Sequence, residues 1–133
     1  QELELLLEYD ETSIEAVRLL ASLAEEMNDA RRLQIAYERL IEIDPFDPIP
    51  HQVLGRFALE DGRIDVAILE LTVALSLGPV DRVAVYSDLA EGFLAAEQFD
   101  KAKQQIMSAL EVAPSYTRAQ DLLLTIIEQQ DRQ

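Results

Sequence analysis

A lone histidine, pairs of adjacent carboxylates and two glycines, Gly55 and Gly62, are the residues of this 133-residue chain whose types could do chemistry. A catalytic or metal-bound His51 needs partners: a carboxylate to orient the ring, or further ligands at matching spacing. Nothing in the sequence nominates one. There is no cysteine, so disulfides, thiolate nucleophiles and cysteine zinc sites are excluded, while the redox compartment stays open. No HExxH, GxSxG, Walker or GxGxxG pattern occurs, and Gly55 and Gly62 stand in the wrong context for a phosphate loop. Glu25-Glu26 and Asp10-Glu11 lack the spacing of a calcium loop, and a solvated helix face accounts for them better. The expectation is a chain that catalyses nothing and needs no cofactor or metal.

The elements around these residues are those of a folded chain. Hydrophobic residues make up 49%, with 4 glycines and 5 prolines, and the length suits one domain with a continuous core. The formal charge of −15 repels phosphate backbones and anionic lipid, which makes nucleic acid and membrane poor partners. The longest apolar run, Leu122-Leu123-Leu124-Thr125-Ile126-Ile127, falls far short of the ~18 residues of a membrane span. Glu2, Glu4 and Glu8 interrupt what would otherwise read as the apolar stretch of a signal peptide.

One phrase recurs. Leu40-Ile41-Glu42-Ile43-Asp44-Pro45 returns as Ala74-Leu75-Ser76-Leu77-Gly78-Pro79 and as Ala109-Leu110-Glu111-Val112-Ala113-Pro114, the prolines standing 34 and 35 residues apart. Stepping by the same amounts aligns Leu20-Ala21, Leu54-Gly55 and Leu89-Ala90, then Ala24, Ala58 and Phe93. It also aligns Leu33, Ala67 and Ala102, then Tyr37, Leu71 and Ile106. Spacings of three and four within each half predict two amphipathic helices per unit, and the small residues let paired helices approach closely. Thr12-Ser13-Ile14-Glu15 reads as a capping box, and Asp47-Pro48 as a cap with a first-turn proline. Asn28-Asp29, Asp61-Gly62 and Glu97-Gln98 mark the turns within hairpins; only the first two carry strong turn residues. Tyr37, Tyr86, Phe93 and Phe99 read as core, while Tyr116 is left undecided.

The Leu–small pairs, Ala67 and Ala102, the Tyr37, Leu71 and Ile106 slot, Ala74 and Ala109, and the three prolines together resemble the tetratricopeptide repeat family. The resemblance covers residues 14–114 and implies an all-α, right-handed superhelical array of antiparallel helix hairpins. Its units would be 14–45, 48–79 and 83–114. Leu33 and Leu40 depart from the family's small residues, and His51 fills a slot usually given to Trp or Leu, which implies packing as its role. By the same register residues 1–11 read as the end of a preceding helix, with Glu11 at the proline position. Residues 115–133 read as a capping helix that solvates the last repeat. The chain is thus expected to come from a longer array.

In this family the first helices of successive units line a concave groove. Carried over residue by residue, that face comprises Glu15, Arg18, Ser22 and Glu25; Ile49, Gln52, Arg56 and Leu59; Ala84, Ser87, Glu91 and Leu94; and Arg118, Asp121, Thr125 and Glu128. Arg18, Arg56 and Arg118 would place cations in the groove of an acidic chain, which fits an acidic or C-terminal peptide, with Ile49, Leu59 and Leu94 as an apolar floor. The competing account pairs these arginines with Glu15, Glu91 and Asp121 on neighbouring helices. The Lys–Asn clamp by which some members grip chaperone C-termini is absent, since Arg18, Ser22 and Val53 occupy its positions.

The resulting expectation is a protein-interaction or scaffolding module that binds a peptide segment in the groove. One alternative is self-association through the end helices. Another is an accessory C-terminal domain of a larger bacterial protein, because residues 40–124 are similar to the repeat tails of large peptidase-like proteins.

Overall fold

The computed structural model describes residues 14–79 and 81–133. The readings of residues 1–11 and of the capping box at Thr12-Ser13 lie outside them. Among the described residues there is no strand, and there are seven helices. They are α1 (Ile14–Glu26), α2 (Ala30–Ile43), α3 (Pro48–Glu60), α4 (Ile64–Ser76), α5 (Arg82–Ala95), α6 (Phe99–Val112) and α7 (Thr117–Asp131). None of them is long and apolar enough to cross a membrane.

The small residues set the packing. In the first hairpin Val17, Leu20, Ala21 and Ala24 of α1 bury against Leu33 and Ala36 of α2, with Tyr37 and Leu40 packed at the edge. In the second, Gly55 of α3 lies so close to α4 that a Cβ there would sit 2.6 Å from the Cγ of Leu71. In the third, Ala90 meets Ala102, Ile106 and Ala109, and Ala119 and Ile126 of α7 join the same cluster. Tyr86, Phe93, Phe99 and Tyr116 pack at the edge of this cluster, which answers the open question about Tyr116. Each helix packs on the next; α5 additionally touches α3 and α7, whereas α1 and α3 make no close backbone contact.

The turns inside the hairpins share one geometry. Asn28 (φ 55°), Gly62 (φ 78°) and Glu97 (φ 58°) all sit in the left-handed region. After each, an N–H reaches back five residues: Asp29 to Ala24, Arg63 to Ala58 and Gln98 to Phe93, all at 2.9 Å. This is the Schellman arrangement, which satisfies carbonyls that the helix end would orphan. The following helices are capped by side chains where the sequence provides them. Asp29, Asp47 and Asp81 accept from the backbone N–H of Arg32, Ile49 and Ala84.

His51 is buried and works as a strut. Its Nε2 lies 3.0 Å from the Pro45 carbonyl and its Nδ1 3.3 Å from Oε1 of Glu70, so it links the turn before α3 to helix α4.

Candidate ligand groove and its charge network

Because α1 and α3 stay apart while α3, α5 and α7 draw together, a groove of about 610 Å³ opens on the side these helices share. Leu33, Ile49, Val53, Phe57 and Ala84 form its apolar floor; Glu25, Gln52, Arg56 and Glu60 stand at its rim, and Asp88 and Arg118 close one end. Of the expected groove residues, Glu25, Ile49, Gln52, Arg56, Ala84 and Arg118 line it, and Ile49 is 51% exposed. Glu91 touches its charged end through Arg118.

The others are placed differently. Arg18 and Ser22 are exposed on α1 and Asp121 on α7, outside the lining. Leu59 is half-buried, and Leu94 packs with the α5–α7 cluster instead of flooring the groove. Ser87, expected on the groove face, is fully buried, and its hydroxyl donates to the Val83 carbonyl at 2.8 Å. The reason is that α5 is packed by α3, α4, α6 and α7 together, which leaves little of its surface free.

Asp88 is the residue that sequence reasoning missed. Only 4% exposed, its Oδ1 accepts from Nη1 of Arg56 at 2.5 Å and from Nη2 of Arg118 at 2.6 Å. Arg118 also reaches Oε1 of Glu91 at 3.1 Å; Arg56 lies 4.0 Å from Oε2 of Glu91 and donates through Nε to Glu60 at 3.2 Å. Burial works against the charge of both guanidiniums, but the contacts with Asp88, joined by Glu60 for Arg56 and Glu91 for Arg118, hold both above the ordinary arginine value. The signal was available in register: Asp88 occupies the slot that holds Leu19 and Val53 in the other units, one position before the buried Leu89. A carboxylate at a slot otherwise apolar needs a partner. Of the carboxylates expected to pair with these arginines, Glu91 does so with Arg118 and Arg56, while Glu15 and Asp121 do not pair with Arg56 or Arg118; Asp88 is the partner that was not expected.

Elsewhere on this face, Glu25 accepts from the Tyr37 hydroxyl at 3.0 Å. Burial first, then this hydrogen bond and the charge of Glu25, push the Tyr37 phenol up to about 12. The groove therefore combines an apolar floor with fixed charges, an arrangement suited to holding an elongated ligand.

No protein-family model matches the chain, and no curated protein matches it in sequence. Solved structures do match in fold. MamA is 17% identical with a TM-score of 0.84, covering 97% of this chain and 75% of MamA. The first TPR of Spaghetti (RPAP3), bound to the HSP90 peptide SRMEEVD, is 16% identical with a TM-score of 0.79, covering 89% of this chain and 93% of that one. YrrB, described as a TPR protein with an unusual peptide-binding site, is 16% identical with a TM-score of 0.79, covering 98% of this chain and 66% of YrrB. With its paired helices, small-residue contacts and repeated turns, the chain has the tetratricopeptide-repeat fold, with seven helices among the described residues.

Proposed function

We propose that this chain is a non-catalytic protein-interaction module that holds a polypeptide segment of a partner in the groove between α1, α3, α5 and α7. The observation that carries this reading is the apolar floor around the exposed Ile49, bordered by charged side chains; among the fold neighbours, one is bound to a peptide and another is described as having a peptide-binding site. An apolar floor supplies affinity by leaving water, and the rim fixes orientation. The test is selection of a phage-displayed library of random dodecapeptides on the native chain and on Ile49→Asn, which removes the apolar surface without adding charge. Ile49 is half-exposed, so the substitution should leave thermal unfolding nearly unchanged. Peptides retained by the native chain and lost on the variant support the groove. A selected set indifferent to Ile49→Asn rules it out.

Self-association is a second reading, favoured by α7, where Leu124 is 59% and Ile127 39% exposed. Both would be covered if a second copy stacked there. Sedimentation equilibrium that shows a dimer for the native chain and a monomer for Leu124→Glu would favour it; a monomer in both would eliminate it.

A further inference from the structure

Resting on the groove reading, we infer that the segment held there is cationic, a stretch bearing Lys or Arg beside apolar residues, and that acidic segments are rejected. The two arginines that would attract a carboxylate are already occupied by one: Asp88 bonds both, from within the chain. An incoming carboxylate would meet guanidiniums whose charge Asp88 already offsets, joined by Glu60 at Arg56 and Glu91 at Arg118, and would lie beside those carboxylates. Around the groove the charges are four carboxylates, Glu25, Glu60, Asp88 and Glu91, against two guanidiniums, Arg56 and Arg118. Widening the view to the whole face adds Arg18 but also Glu15, Asp121 and Glu128, all exposed, so the sign does not change.

The unspent negative charge has a definite position. Glu25 uses Oε1 on Tyr37 and Glu60 uses Oε1 on Arg56; the second oxygen of each has no hydrogen-bond partner among the described residues. Both carboxylates border the same apolar floor of Ile49, Val53 and Phe57. A Lys or Arg side chain matches that pairing, because its aliphatic stem lies on apolar surface while its head meets carboxylate.

The experiment reads the composition of the Ile49-dependent dodecapeptides and then measures the affinity of individual ones by fluorescence anisotropy. These peptides should be enriched in Lys and Arg and depleted in Asp and Glu relative to the unselected library. Their affinity should fall roughly five- to tenfold on the Glu25→Gln/Glu60→Gln double variant. Both changes are isosteric, and Glu60 is exposed, so the fold is retained. Groove-dependent peptides that are neutral or acidic would overturn the charge preference while leaving the groove reading intact. Cationic peptides whose affinity ignores the double variant would also overturn it, since the chain's overall charge would then be the attractor. If no selected peptide depends on Ile49, the groove reading and this inference fall together.

Discussion

Asp88 on α5 and Arg118 on α7, thirty positions apart, meet at 2.6 Å, and the same carboxylate oxygen holds Arg56 of α3. One buried side chain thereby joins the first helices of two successive repeats and the closing helix. Hydrophobic contacts between hairpins are tolerant of sliding; a buried carboxylate with two charged donors is not. The pairing sets the spacing of α3, α5 and α7 at the charged end of the groove.

Asp88→Ala should therefore be among the more damaging single substitutions, costing about 2–4 kcal/mol, because two like-charged guanidiniums would lose their shared acceptor. Arg56→Met should cost about 1 kcal/mol or less, since that side chain is 47% exposed and Arg118 keeps Asp88 satisfied. Urea unfolding of the two variants measures the difference. Equal losses would mean that Asp88 is not the hub of the network. For the same reason Arg56→Glu is a poor probe of ligand binding, as it would crowd Asp88, Glu60 and Glu91 with another carboxylate.

The periodicity of Leu20, Leu54 and Leu89 and the prolines at 45, 79 and 114 made the hairpins legible, because helical period and chain stops are local properties. Ile49, Gln52, Arg56 and Arg118 could be assigned to the groove because the resemblance implies that face, their spacing of three and four showing only that residues of one unit share a helix side. What spacing does not carry is the crowding of each helix. Ser87 shares the period of Ala84 and Glu91, yet α5 is enclosed by four neighbours and turns that serine inward. Nor does it carry pairing across repeats: Asp88 looked like one more acid in an acidic chain until Arg56 and Arg118 were brought to it from 32 positions before and 30 after.

Gly55→Ala tests the closest helix contact. The added methyl would meet Leu71 Cγ at 2.6 Å and the Leu71 backbone nitrogen at 3.2 Å, so α3 and α4 must separate or Leu71 must change rotamer. Overpacking of this kind costs about 1–3 kcal/mol, partly offset by the ~1 kcal/mol gain in helix propensity. A net loss is expected by thermal denaturation, and it should largely disappear in a Leu71→Ala background, measured against Leu71→Ala alone, because that change removes the clashing Cγ. A Gly55→Ala variant as stable as the parent would show that the hairpin can relax freely.

Glu97→Gly should stabilise the chain. Glu97 holds φ 58° at the position where the second hairpin has Gly62 and the first has Asn28, and a glutamate gains nothing from that conformation. Relief of the strain amounts to about 1 kcal/mol, a rise of roughly 3–5 °C in Tm. The Schellman bond from Gln98 to Phe93 is a backbone bond and is kept. Calorimetry on Glu97→Gly and Glu97→Ala distinguishes relief of strain from mere removal of a charge, since only glycine should raise Tm by that amount.

Tyr37 gives a titration signature of its contact with Glu25, which stands at the groove's rim. Its phenol is pushed up to about 12 by burial, by its hydrogen bond to Glu25 and by the charge of that carboxylate. The unfolded phenol titrates near ~10, so the folded form holds its proton more tightly. The stabilisation is then fully present below pH ~10 and is lost as pH rises from there through about 12. Subtracting the phenolate absorbance of Tyr37→Phe from that of the native chain should isolate one component with a midpoint near 12, and Glu25→Gln should move it towards ~10 without bringing it fully there, because burial remains. A midpoint that ignores Glu25→Gln would mean that the 3.0 Å contact between Tyr37 and Glu25 does not persist in solution.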